Sequence, residues 1–223
     1  MFDIQEVKKH IKVVGFDLDQ TLYPKSKEID EAIQAYLYQK IAEHKNVSVE
    51  EAGKMFRDLY KEGTGLSGNE TLQYLGLSNA SDTVQEAIER ADIAKFLHPN
   101  EKVLEVLQAI KQKFGTVDLV TGSIERIARE KLSKLGIPVS LFTNMIFGDT
   151  GSKSSGEAYK LWLSLYKDFK PEEFLYIGDR PRSDFDVPST FGIRSILVNQ
   201  SKQKPEVDCL QLPDITDLAK VLF

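Results

Sequence analysis

The stretch VVGFDLDQTLYP, residues 13–24, joins a β-branched apolar run to two aspartates one residue apart, then a threonine and a proline. Read as a buried strand, the run delivers Asp17 and Asp19 just past its carboxyl end, where an i, i+2 relation turns both side chains toward one crevice. TVDLVTG (116–122), FLYIGD (174–179) and IRSILVN (193–199) repeat the same type of run. Short apolar runs of this kind predict strands of a buried parallel sheet. Helical patterns lie between them: Val103, Leu104, Val106, Leu107, Ile110 and Phe114 follow one face with Gly115 as the stop, and residues 124–135 end at Gly136. Such alternation predicts a doubly wound, Rossmann-like α/β domain with right-handed crossovers and ligands beyond the carboxyl ends of the strands.

Residues 25–97 break that rhythm. Ile29, Ile33, Leu37 and Ile41 are spaced for a helix, Ser48 with Glu51 has the pattern of a capping box, and GTGLSG interrupts before two further helical stretches. No strand pattern occurs here, and His98 before Pro99 marks the return. The organisation expected is an α/β core of residues 1–24 and 98–223 with an all-helical insertion, 25–97, too long to be a loop.

The 223 residues are 41% hydrophobic and 28% charged, the balance of a globular protein able to bury roughly 70% of its unfolded surface. The net charge of −5, without a Lys/Arg block, argues against nucleic acid or an anionic membrane as partner. An anionic substrate must therefore be captured locally. A lone Cys209 forms no intramolecular disulfide, the amino-terminal residues lack a continuous apolar segment, and no stretch reaches the length of a membrane span. These features predict a cytoplasmic protein.

A carboxylate can attack phosphorus to give an aspartyl-phosphate, while a second carboxylate protonates the leaving oxygen and later activates water. Clustered carboxylates beside a phosphate need a cation, and an all-oxygen ligand set points to Mg²⁺. Taken alone, DLD also reads as a polar turn. Thr121, Gly122 and Ser123 stand at a second strand end before a helix, suited to a phosphoryl group or, equally, to capping the helix. Asp179 and Asp184, five residues apart after a third strand, suit a metal site or a Gly-Asp turn. Lys153, in GDTGSKSSGEAYKLWL, would offset the carboxylates and hold phosphoryl oxygens if it is not simply a solvated loop lysine.

At these residues the sequence resembles the haloacid dehalogenase-like hydrolase superfamily, which carries four such motifs in this order on a Rossmann-like core. The resemblance covers nearly the whole chain. It implies Asp17 as nucleophile and Asp19 as acid/base, with the Asp19 carbonyl on Mg²⁺. It further implies Thr121 and Gly122 on the phosphoryl group, Lys153 as the third-motif lysine, Asp179 with Asp184 completing the metal site, and the helical insertion as a cap. KSSGEAY stands where the family has K-P-x-P-E-x-F, so Ser154 and Gly156 replace its two prolines; Lys160 is the competing lysine, and its place inside the next helix makes it a surface residue. Asp19 and Thr21 together favour phosphatase over dehalogenase or mutase. FDLDQTLYPKS and EGTGLSGNETLQYLG look most like the pyrimidine 5′-nucleotidase branch.

His10, His44 and His98 lack metal spacing, and Tyr36, Tyr38, Phe56, Tyr60 and Trp162 read as packing residues. The reading is a Mg²⁺-dependent phosphomonoesterase for a small soluble substrate, first a nucleoside 5′-monophosphate. The alternatives are a sugar-phosphate or other small organophosphate phosphatase, or a catalytically silent phosphate-binding protein of the same fold. Leu66, Ser67 and Asn69, in the glycine-rich loop of the insertion, are the expected specificity contacts.

Overall fold

The computed structural model describes residues 8–24, 26–60, 66, 68–200 and 207–223. Its strands are β1 (Val13–Phe16), β2 (Asp118–Val120), β3 (Met145–Ile146), β4 (Phe174–Gly178), β5 (Arg194–Leu197) and β6 (Leu210–Gln211), all parallel in the order β3-β2-β1-β4-β5-β6. β1 is therefore central, flanked by β2 and β4, with Gly15 level with Asp118 on one side and Tyr176 on the other. Strand order reverses between β1 and β4, which opens the crevice of a doubly wound sheet at their carboxyl ends. The Rossmann-like α/β class follows directly from this topology.

The chain divides into two compact units, Met1–Pro24 with Leu97–Phe223, and Lys25–Phe96. The second unit is helical: α1 (Lys27–Lys45), α2 (Val49–Leu59), α3 (Gly68–Tyr74) and α4 (Ala80–Arg90). Ser26 and Ser48 cap α1 and α2 by accepting from the N–H groups of Ile29 and Glu51. Leu37, Ile41, Phe56, Leu72 and Leu77 form its core, and the Tyr38, Phe56 and Tyr60 rings pack in series at 5.6 and 4.9 Å.

In the first unit, α5 (Glu101–Phe114), α6 (Glu125–Lys134) and α7 (Glu157–Ser164) connect strands, and the first two end at Gly115 and Gly136. Trp162 of α7 is fully buried against Phe174 and Tyr176, with ring centroids 5.1 and 5.8 Å away. Truncating such a ring to alanine typically costs ~3–5 kcal/mol. Its Nε1 donates to Asp118 at 2.8 Å, and Tyr166 and the Asn144 N–H donate to the same carboxylate at the amino end of β2. Burial pushes the Asp118 carboxyl up even against these donors. Among the described residues no helix is long and apolar enough to cross a membrane.

Candidate active site

β1 ends at Phe16, and the next backbone N–H, that of Asp17, still donates to Ile177 of β4 at 2.8 Å. The loop that follows turns immediately, with Gln20 at φ 58° and Leu22 N–H donating to the Leu18 carbonyl. Asn199, beyond β5, holds this loop from outside: its Nδ2 donates to the carbonyls of Gln20 at 2.7 Å and Thr21 at 3.1 Å. Gln200 does the same for the end of β4 by donating to the Asp179 carbonyl at 2.8 Å.

Two groups of charges form here. In the first, the buried Lys153 Nζ lies 2.8 Å from Asp17 Oδ1 and 2.7 Å from Asp184 Oδ1, and 5.2 Å from the centre of the Tyr176 ring. Asp184 Oδ2 accepts from the N–H groups of Asp179 and Arg180 at 3.0 and 2.9 Å, which locks it beneath the end of β4. A Cβ at Gly178 would lie 2.4 Å from that carboxylate oxygen, so glycine is what lets Asp184 approach the strand. Asp17, Asp179 and Asp184 each offer an oxygen within 4.8 Å of the others, and Asp179 Oδ1 is buried without a hydrogen-bond partner among the described residues. An oxygen-only donor set with one unanswered lone pair fits a hard divalent cation such as Mg²⁺.

Burial pushes the Asp17 carboxyl up to about 6; Lys153 opposes the rise, and Asp184 and Asp19 add to it. Asp179 is pushed up to about 7 by burial and by Asp17. Burial also acts on Asp184, but there Lys153 and the surrounding donors win and hold the carboxyl low. Burial works against the Lys153 ammonium, yet Asp17 and Asp184 together keep it firmly protonated.

In the second group, Asp19 Oδ1 accepts from Lys131 Nζ and Tyr23 OH, each at 2.5 Å, and Oδ2 accepts from Ser123 Oγ at 2.6 Å. Burial alone would raise this carboxyl, but Lys131 and the two hydroxyls hold it below the ordinary carboxylate value. Lys131, on α6 and 1% exposed, is absent from the set read from sequence. Ser123 caps nothing, since α6 begins after Ile124; its hydroxyl is given to Asp19 and its N–H to Thr121 Oγ1 at 3.1 Å. Thr121 is fully buried at the end of β2, and Gly122 follows it.

The structure thus gathers Asp17, Asp19, Thr121, Ser123, Lys153, Asp179 and Asp184 in one unit, at or beyond the carboxyl ends of β1, β2 and β4. Lys160 is exposed on α7, while Lys153 reaches both aspartates. Gly156, standing where the family has proline, adopts φ +84°, a conformation closed to proline. Of the expected specificity contacts, Leu66 and Asn69 lie in the helical unit, Leu66 bridged to Tyr60 and Asn69 in α3 with a buried Oδ1 that has no hydrogen-bond partner among the described residues. Ser67 lies outside the described residues.

Acids and a shared lysine at the strand ends of a doubly wound sheet define a hydrolytic enzyme of the α/β class. The chain belongs to the haloacid dehalogenase-like hydrolase family, whose profile matches residues 14–198. It is 25% identical over 200 residues, 86% of this chain and 85% of the relative, to the glyceraldehyde 3-phosphate phosphatase of Methanopyrus kandleri. Among solved structures, a HAD phosphatase from Thermococcus onnurineus superposes with a TM-score of 0.65 at 19% identity, covering 95% of this chain and 98% of the other. A Bacillus subtilis protein described as the HAD-hydrolase YfnB, solved with magnesium bound, gives 0.63 at 17% identity over 96% and 99%.

Proposed function

We propose that this chain is a phosphomonoesterase that hydrolyses a small soluble phosphate monoester through an aspartyl-phosphate on Asp17. The observation that carries the reading is Lys153 held between Asp17 and Asp184, with a buried Asp179 oxygen in the same cluster that has no hydrogen-bond partner among the described residues. In the first half-reaction an Asp17 oxygen bonds to phosphorus as the ester P–O bond breaks, and the departing oxygen takes a proton from Asp19, which, ionised in the free protein, must first accept that proton as the substrate enters. In the second, Asp19 takes a proton from water, whose oxygen attacks phosphorus and releases inorganic phosphate and the Asp17 carboxylate. Lys153 neutralises charge at the nucleophile, and the Thr121–Gly122 turn receives phosphoryl oxygens. Asp17, Asp179, Asp184 and the Asp19 carbonyl would hold Mg²⁺, which supplies charge neutralisation for the phosphoryl group when bound.

The likeness of residues 16–26 and 62–76 to pyrimidine 5′-nucleotidases supports a nucleoside 5′-monophosphate as substrate. The name of the Methanopyrus kandleri relative supports a second reading, a small phosphorylated sugar or aldehyde. On either reading the helical unit is the cap, with Leu66, Ser67 and Asn69 meeting the leaving group. A single cysteine, which forms no intramolecular disulfide, supports the cytoplasm as the place of action. The experiment is a set of initial rates on nucleoside 5′-monophosphates, triose and hexose phosphates and p-nitrophenyl phosphate, with EDTA and with added Mg²⁺, using Asp17→Asn as the blank. Hydrolysis stopped by EDTA, restored by Mg²⁺ and lost by at least ~10⁴-fold in Asp17→Asn is expected. No turnover of any ester, or full activity in Asp17→Asn, overturns the reading.

A further inference from the structure

The buried face of α6 is formed by Ile127, Ala128, Lys131 and Leu132. A lysine in such a row is costly, because taking an ammonium out of water carries a desolvation penalty that only good partners offset. Lys131 has two: Asp19 Oδ1 at 2.5 Å and Ser123 Oγ at 3.0 Å. The carboxylate in turn collects three donors from three separate segments, Lys131 from α6, Ser123 from the turn after β2, and Tyr23 from its own loop. Its side chain keeps 27% of its surface open although both of its oxygens are held. Asp19 also stands apart from the three acids whose oxygens converge within 4.8 Å.

We propose that Lys131 is a positioning residue: with Tyr23 and Ser123 it fixes the direction in which the Asp19 carboxylate points. Ser123 then acts through Asp19 and not on the phosphoryl group. The physical need is plain, because a short acid on an irregular loop has several rotamers, and a displacement of ~1 Å from the productive geometry can cost ~10²-fold in rate. Three donors aimed at two oxygens leave one rotamer. This inference rests on the proposed role of Asp19 as proton donor and acceptor.

A double-mutant cycle tests it. Lys131→Met keeps the length of the side chain and removes the ammonium, and Lys131→Gln keeps a shorter donor. Kinetics of both, of Asp19→Asn and of Asp19→Asn/Lys131→Met, are measured on the best phosphate ester, with melting temperatures alongside. Lys131→Met is expected to lower kcat by ~10–10²-fold with KM within ~3-fold of wild type, and Lys131→Gln to recover part of the loss. The double variant should be no slower than Asp19→Asn, since a residue acting only through Asp19 has nothing left to position. Wild-type kcat in Lys131→Met, or a full further loss on the Asp19→Asn background, overturns the inference. If Asp19→Asn itself keeps wild-type kcat, it is the role of Asp19 that fails. Should Lys131→Met not fold, Ser123→Ala and Tyr23→Phe remove the other two donors and must lose the same non-additive way against Asp19→Asn; additive losses overturn the proposal equally.

Discussion

Asp17 and Asp19 stand two residues apart on one turn, and each meets a buried lysine, yet they are driven in opposite directions. At Asp17 burial prevails and the carboxyl rises to about 6; at Asp19 the neighbouring charge prevails and the carboxyl is held low. The difference lies in how the cations are divided. Lys153 serves Asp17 and Asp184 at nearly equal distances, and Asp184 repels Asp17 as well. Among the described residues Lys131 pairs with no carboxylate but Asp19, and two hydroxyls assist it. A lysine beside an acid does not by itself set its charge; burial, the sharing of the cation and the further donors decide it together.

The hardest test of that contrast is Lys153→Met. Removing the shared cation leaves Asp17, Asp179 and Asp184 facing one another, and breaking a buried pair typically costs ~3–5 kcal/mol. A large drop in melting temperature and a fall in kcat on the order of 10²–10³-fold are expected. A variant melting like the wild type would break the comparison, since Lys153 would then not be what holds the first group together.

A milder test uses pH on metal-stripped protein. Asp17 at about 6 and Asp179 at about 7 bind a proton more tightly folded than unfolded, where such groups titrate near ~4. The folded state therefore carries extra protons between roughly pH 4 and 7, and stability from these groups falls as pH rises through that window. Asp19 and Asp184, held low, work in the other sense and withdraw stability only as pH falls below ~4. The metal-stripped wild type should lose melting temperature from pH 5 to pH 8 relative to Asp17→Asn, and Mg²⁺ should raise it more at pH 8 than at pH 5. A difference between the two proteins that stays flat with pH would place Asp17 with Asp19 after all.

The smallest effect sharpens the comparison. Asn199→Ala removes the donors to the Gln20 and Thr21 carbonyls, which lie on the Asp19 side of the turn. About 1 kcal/mol of stability and a rate loss of a few-fold are expected, with KM little changed. An equal loss in Gln200→Ala, which frees the Asp179 carbonyl instead, would mean that the two sides are not braced separately.

Sequence made the long elements legible because their signals are repeated. β1, β2, β4 and β5 have three to five strand residues set in longer, mostly apolar stretches, and α5 shows its buried row several times over. β3 and β6 are two residues each at the sheet edges, too short for any period to register. The acids and Lys153 stood out through motif order. Lys131 did not, because ERIAREKLSK looks like a charge-laced outer helix; the clue was its place four residues after Ile127 and one before Leu132, on the apolar side. Asp118 was hidden for another reason. Its partners Trp162 and Tyr166 lie more than forty residues away, and only the folded sheet brings them to it.

The turn Arg182–Asp186 is wound as a π-helix, one residue wider per turn than its neighbours, with Asp184 at its middle. Such a turn is an insertion preserved in the backbone. Deleting a single residue there would return the segment to 3.6 residues per turn and swing the following side chains by about 100°. Asp184 would leave the end of β4, and Lys153 would lose one of its two anions while the chain composition hardly changed. Tolerance of length, usual in a loop beyond a strand, is therefore absent from this one: a one-residue deletion between Arg180 and Val187 should be more damaging than most substitutions within it.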